Sequence, residues 1–374
     1  MLLGNNIIAQ GNKAAARIRI DNSVVVFSGA NTNSSFVVRE GLLLSCGDNS
    51  FGQLGLGNEI NTISHSRQVG SENDWILLSA GSFHTVAVKK DGTLWGWGDN
   101  EYGQAGTGTK DKQPVPVQIS ADNNWESIAC SDYQSFAIKK DGSLWAWGVN
   151  NYGQLGTGTV SSFVNTPQQV GNAHDWKAVS AGSFHTLALK KDGSLWAWGY
   201  GADGQLGLGS GSSFSSPVQV GESHDWSMIS AAGFHSIALR RDGTCWSWGD
   251  NEYGVLGNGN TEKQFTPVAV SGTAKWKMVT AGFHHTAAIR SDGTLWVWGN
   301  NFSGELGLGF AGGEESKPVQ IGNEKNWQYI TSGFAHTLAL KKDGTRWAWG
   351  QNEYGQLGCG DFTNKTSPEK QAEQ

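Results

Sequence analysis

Seven times along this chain a short aromatic segment closes on a glycine at almost constant spacing. Six copies read W-x-W-G and end at Gly98, Gly148, Gly199, Gly249, Gly299 and Gly350, and a degraded copy, Leu44-Ser45-Cys46-Gly47, precedes them. Successive glycines lie 50 or 51 residues apart, so the units fill nearly all of the 374 residues. A period of this length signals one supersecondary unit per repeat, each unable to bury its apolar surface alone. It displaces the reading of two or three unrelated domains that length would otherwise suggest.

One clear unit runs from Trp176 to Gly182, continues through His185 to Leu189, turns at Asp192-Gly193 and returns through Leu195 to Gly199. It ends with a Gly-rich stretch to Gly209 and a final segment from Pro217 to Val220. Apolar residues alternate over four to six positions between glycine clusters, which is a strand pattern. The Asp-Gly pairs, as at Asp91-Gly92 and Asp343-Gly344, predict type I′ hairpins, and Glu40-Gly41 fills the slot in the first unit. Each repeat therefore gives four short antiparallel strands.

In W-x-W both indoles point to one face, because strand side chains alternate. The residue between them is small at Gly96, Ala146, Ala197, Ser247 and Ala348, with Val297 the exception, and the neighbouring strand carries Ala87, Ala137, Ala188, Ala238, Ala288 and Ala339. The pattern predicts bulky faces nesting on the small faces of adjacent sheets. Burying one Trp removes about 150–250 Å² from water, worth roughly 4–6 kcal/mol gross at about 25 cal/mol per Å². Radial closure also protects the sheet edges. The fold class that follows is all-β, a seven-bladed β-propeller with four antiparallel strands per blade. The repeats fall at approximately 17–66, 67–116, 117–167, 168–217, 218–267, 268–318 and 319–370 of a single domain. Both Arg17–Ile20 and Ser367–Lys370 resemble the outer strand, so one of them is expected to complete a blade shared by the two ends.

Composition narrows the function classes. Formal net charge is -6 with no basic stripe, so the electrostatic footprint of a nucleic-acid binder is missing. Cys46, Cys130, Cys245 and Cys359 are far apart and form no C-x-x-C pair, which argues against a zinc site or a disulfide framework. Met1–Ile20 lacks the charged and apolar regions of a leader, and no run of eighteen apolar residues occurs. The expectation is a cytoplasmic monomer without membrane contact, with export as an effector left open.

The motifs S-A-G-x-x-H-T, D-G-x-L-W-x-W-G and N-x-x-G-Q-L-G-x-G at this spacing resemble the regulator-of-chromosome-condensation repeat family, over roughly residues 17–370. The resemblance implies a seven-bladed propeller with the A-G-x-x loops on one face. It leaves function open, because the family includes an exchange factor for a Ran-type GTPase, an ultraviolet-B photoreceptor, ubiquitin-ligase accessory domains and secreted bacterial effectors.

Residues that invite a chemical reading are better explained by structure. His84, His185, His235, His285 and His336 occur once per blade at one strand-starting slot, where Gln134 and Asn33 replace them in the other two units. A buried hydrogen-bonding role fits better than metal or acid–base chemistry. The D-N-x-x-G segments lack calcium-loop spacing and read as Asx turns. G-Q-L-G-x-G lacks the Lys-Ser/Thr and helix of a phosphate loop. No catalytic residue, cofactor or metal ligand is indicated.

The variable x-x positions carry the information: Ser82-Phe83, Asp132-Tyr133, Ser183-Phe184, Gly233-Phe234, Phe283-His284 and Phe334-Ala335, with Asn31-Thr32 in the first unit. Six of seven place an aromatic there. A rimmed aromatic patch marks protein interfaces, so Ser82, Phe83, Asp132, Tyr133, Ser183, Phe184, Phe234, Phe283, His284 and Phe334 form the expected partner-binding face. The competing reading has these rings plugging the channel mouth. The first functional expectation is a non-catalytic scaffold for a protein partner. The alternative is guanine-nucleotide exchange on a small Ran-like GTPase, weakened by the lack of an inserted wedge or basic tail. A photoreceptor role is disfavoured, since the x-x slots hold no Trp or Arg and all 18 Trp belong to the framework.

Overall fold

The computed structural model describes residues 24–29, 31–57 and 60–371. Among them, 28 strands form seven four-stranded antiparallel sheets, each built from consecutive strands. Blade 1 comprises β1 (Val24–Phe27), β2 (Ser34–Arg39), β3 (Leu42–Asp48) and β4 (Thr62–Gln68). Blade 2 comprises β5 (Trp75–Ala80), β6 (His84–Lys89), β7 (Leu94–Gly98) and β8 (Gln113–Gln118). The remaining five blades span 125–169, 176–219, 226–269, 276–321 and 327–370. The all-β propeller read from the repeat is the observed architecture.

Indoles organise each interface. In blade 2, Trp97 is fully buried, Trp95 is half-buried, and Trp75 lies T-shaped against both with ring centroids 5.8–5.9 Å away. The receiving surface is aliphatic: Leu77, Val86, Val88 and Leu94 of blade 2 pack with Trp125 and Trp147 of blade 3. The alanine slot is not on that receiving face. Ala87 pairs with both Leu78 and Trp95, which puts it on the indole side, where its small side chain leaves room for the three rings. The small residue inside W-x-W serves a different purpose. A Cβ on Gly96 would fall 2.3 Å from the Ala105 carbonyl oxygen, so this slot accommodates the blade's own Gly-rich loop.

The turns differ from expectation in one respect. Glu40 has φ 52° and Gly41 81°, a two-residue type I′ turn, and Glu40 is the only described non-glycine with positive φ. The Asp-Gly hairpins are therefore not type I′. Gly92 N–H donates to Lys89 O and Lys89 N–H to Thr93 O, which makes a three-residue loop with the glycine in a bulge. Asp91 Oδ1 accepts from the Thr93 amide and hydroxyl at 2.9 and 2.7 Å, fixing the loop without a left-handed aspartate.

Contacts between the first and last blades close the described ring. Lys365–Lys370 is the outer strand of blade 7, and no described sheet mixes strands from the two ends. The expected contribution of Arg17–Ile20 lies outside the described residues. Among the described residues one backbone bond repeats at every interface. The N–H of Gly57, Gly108, Gly158, Gly209, Gly259, Gly309 and Gly360 donates to the outer strand of the following blade at 2.8–2.9 Å, and the last reaches Ser64 of blade 1. The second indole of each pair adds a parallel bond, as from Trp97 Nε1 to Gln53 O (2.8 Å) and Trp349 Nε1 to Glu305 O (2.9 Å). Six of the seven joints carry both bonds, and at the seventh, between blades 7 and 1, Cys46 stands where the indole would be.

Candidate functional site

Each A-G-x-x loop joins the first and second strands of its blade. His84 pairs with Gly98, so the loop after W-x-W-G returns to the same face, and Asp99 N–H donates to Phe83 O at 2.8 Å. The loops are tightly made: a Cβ on Gly182 would sit 2.2 Å from the His185 ring. The ring histidines are consumed by this framework. His84 Nε2 meets Ser135 Oγ of the next blade at 2.7 Å, His185 meets Ser236 at 2.9 Å, and His336 meets Ser35 of blade 1 at 3.1 Å. Burial pushes these histidines down to about 3, so they are neutral hydrogen-bonding groups. The N-x-x-G asparagines are equally committed: Asn100 is fully buried, accepts from Ala105 N–H and donates to Thr109 O.

The expected aromatic loops do come together. Phe83 lies 5.3 Å from Tyr133, Phe184 6.0 Å from Phe234, Phe234 6.4 Å from Phe283, and Phe283 4.8 Å from Phe334. Their rings are half-buried, and Phe334 is 37% exposed. A second tier, not anticipated from the sequence, stands outside them on the N-x-x-G loops. Phe51 stacks on Phe83 (5.0 Å), Tyr102 on Tyr133 (5.5 Å), Tyr152 on Phe184 (5.4 Å), and Tyr253 on His284 (4.8 Å). Tyr253 also reaches Phe302, which at 61% exposed is the most open ring of the belt. The available signal was an aromatic beside the loop glycine, as in Phe51-Gly52, Tyr102-Gly103 and Tyr152-Gly153.

The channel mouth is plugged, but by an asparagine. Asn31 donates to Ser131 Oγ (3.2 Å) and Ser183 Oγ (3.0 Å) and accepts from Gly233 N–H (3.3 Å), so blade 1 reaches blades 3, 4 and 5. Ser82 donates to both Asn31 O and the Asp132 carboxylate. Ser183 is buried in this knot, which removes it from the surface where it was expected. Burial raises the Asp132 carboxyl above the usual carboxylate range, against bonds from Ser82, Ser183 and Asn31 that lower it. Burial likewise lowers His284 against the pull of Asp250 and Glu252. Among the described residues no group of three His, Cys, Asp or Glu could hold a metal ion, and no helix is long and apolar enough to cross a membrane.

The sequence profile of the RCC1-like domain matches residues 9–283, and profiles of the regulator of chromosome condensation (RCC1) repeat match 277–305, 292–340, 327–356 and 343–372. The E3 ubiquitin-protein ligase HERC2 of Mus musculus is 30% identical over 193 residues, 50% of this chain and 4% of that protein. The ultraviolet-B receptor UVR8 of Arabidopsis thaliana is 31% identical over 193 residues, 50% of this chain and 43% of the receptor. The chain thus spans less than half the length of these relatives. Human WBSCR16 superposes with a TM-score of 0.81 at 23% identity, covering 89% of this chain and 94% of that one. Prp20p from Saccharomyces cerevisiae, whose structure was reported with its binding to Gsp1p and histones, gives 0.80 at 22% identity over 89% and 86%.

Proposed function

The chain belongs to the regulator-of-chromosome-condensation repeat family, and from that membership we propose that it is a non-catalytic scaffold that docks a partner protein on its A-G-x-x face. The observation that carries this reading is the two-tier aromatic belt, whose rings stack on one another yet keep edges open to solvent, with Phe302 at 61% and Tyr152 at 43%. Half-exposed aromatics held on a rigid frame supply large contact area at little conformational-entropy cost. A partner covering the belt gains from burying those edges, and the seven-jointed ring keeps the loops from rearranging.

The test substitutes the open rings together, Tyr152→Ser, Phe302→Ser and Phe334→Ser, and measures capture of defined partners by the intact chain beside thermal stability. Binding is expected to fall at least tenfold with the melting temperature near that of the parent protein. Retained binding in the triple variant would remove the belt from the docking surface. Acceleration of fluorescent-GDP release from a Ran-, Rap- or Arf-type GTPase would show exchange activity and replace the purely passive reading.

A further inference from the structure

We propose that the quadrant of this face formed by Phe51, Phe83, Tyr102 and Tyr133 receives a cationic side chain, arginine or lysine, from the docked protein. The inference rests on the docking reading for its face and adds the chemistry of what is recognised.

The chain contains its own template for the arrangement. At the opposite end of the blades, a cation lies over two indoles and beside a carboxylate, again and again. Lys139 Nζ is 4.7 and 4.2 Å from the Trp125 and Trp145 rings and 2.8 Å from Asp122. Lys341 is 4.6 and 3.7 Å from Trp327 and Trp347 and 2.7 Å from Glu324. Ring quadrupole and carboxylate attract the same ion.

The quadrant reproduces two of these three members. Its rings form a continuous chain, Phe51 to Phe83 to Tyr133 to Tyr102, at 5.0, 5.3 and 5.5 Å. Phe51 and Tyr102 are 39% and 37% exposed. Glu101, next to Tyr102, is exposed, and Asp99 lies on the same loop. Burial raises the Tyr133 phenol, with Asp132, Asp99 and Glu101 adding to it. Asp99 accepts from Gln104 Nε2 at 2.8 Å and Asp132 from Ser82, so Glu101 is the carboxylate left open to solvent. The third member is missing: among the described residues no cation lies over any of the four rings, and Lys112 at the rim donates to Ser50 O. The rest of the belt lacks this combination. Asp203 and Asp250 are neutralised by Lys263, and beside Tyr253 the imidazole of His284 fills the space.

The experiment measures fluorescence anisotropy of short labelled peptides of arginine, of lysine and of citrulline, an uncharged isostere, titrated with the full chain. Arginine and lysine peptides should bind and citrulline should not, with binding weakened by salt. Glu101→Gln and Tyr102→Ala should each weaken binding about fivefold or more, while Glu222→Gln, a carboxylate in the connection between blades 4 and 5, should leave it unchanged. Glu101 bears no packing role, so its variant separates recognition from folding. Equal binding of citrulline, or equal effects of Glu101→Gln and Glu222→Gln, would overturn the proposal. If the Tyr152, Phe302 and Phe334 triple variant loses its partner while the peptides ignore the quadrant, the docking reading stands and the cation site falls.

Discussion

Glu305→Gln restores to blade 6 the residue that Gln53, Gln104, Gln154, Gln205 and Gln356 supply at the same slot. In each loop this side chain accepts an N–H two residues back: Gln154 from Tyr152 at 2.9 Å, Glu305 from Ser303 at 2.7 Å. Glu305 is 3% exposed, and burial pushes its carboxyl up from 4.5 to about 7, against the bonds from its own backbone and Ser303 that lower it. A carboxyl raised in this way holds more protons in the folded state between those two values, so stability declines as pH rises through the window. At about 1.4 kcal/mol per pH unit the full penalty above pH 7 approaches roughly 3 kcal/mol. Glutamine carries no such penalty, but its Nε2 needs an acceptor. At Gln53, Gln154, Gln205 and Gln356 that atom finds none, a cost of about 1–2 kcal/mol. The net expectation is a gain of about 1–2 kcal/mol at pH 8 that shrinks and reverses near pH 5. Urea denaturation followed by tryptophan fluorescence, run on both proteins across pH 5–8, measures the difference directly and cancels every other titration. A pH-independent difference would refute the buried-carboxylate reasoning.

Three further outcomes follow from named contacts. The buried histidines, held down to about 3 from 6.5, take up protons on unfolding, so the stability tied to them is full above pH 6.5 and lost as pH falls toward 3. His185→Gln, which copies Gln134, should fold at pH 7 and unfold at lower pH than the parent; coincident acid-unfolding curves would contradict this. Asn31→Ala removes the three cross-channel bonds to Ser131, Ser183 and Gly233 and should cost about 1–3 kcal/mol, with faster amide exchange confined to those loops; unaltered exchange would show that the plug bears nothing. At the joint between blades 7 and 1, Cys46 replaces an indole, and its Sγ is 3.9 Å from Gln356 O where Trp97 Nε1 is 2.8 Å from Gln53 O. Thr62–Gln68 and Lys365–Lys370 should therefore exchange first among outer strands, and uniform exchange around the ring would refute a weak joint.

The fold was legible because the constraint repeats: a W-x-W-G every 50 or 51 residues leaves few arrangements that bury twelve paired indoles. What escaped was set by tertiary contact. Asp91-Gly92 looks the same as a two-residue turn or as the end of a three-residue bulged loop, and only the bond from Gly92 to Lys89 O decides. Ala87 reads as small without revealing its face, because pairing with Trp95 is a matter of register. The closing joint from Gly360 N–H to Ser64 O uses backbone atoms that no side-chain pattern encodes.

The site was half legible. The inner rings stood out because they vary where the repeat allows variation, while the outer rings Phe51, Tyr102 and Tyr152 hid inside a motif that looked fully explained by its turn. Ser183 is buried rather than exposed, in contact with Asn31, which is 152 residues away in sequence and leaves no local signal. Several departures from the repeat share one location. Asn31, Asp132, Gly233, His284 and Glu305 each break the pattern of their slot, and all belong to loops of the A-G-x-x face. At the other end of the blades six hairpins keep Asp-Gly, although Arg241 and Ser291 replace the preceding lysine and Glu40-Gly41 makes a different turn in blade 1. On the docking reading proposed above, residues that depart from the repeat beside solvent-open rings are where a partner would make its contacts.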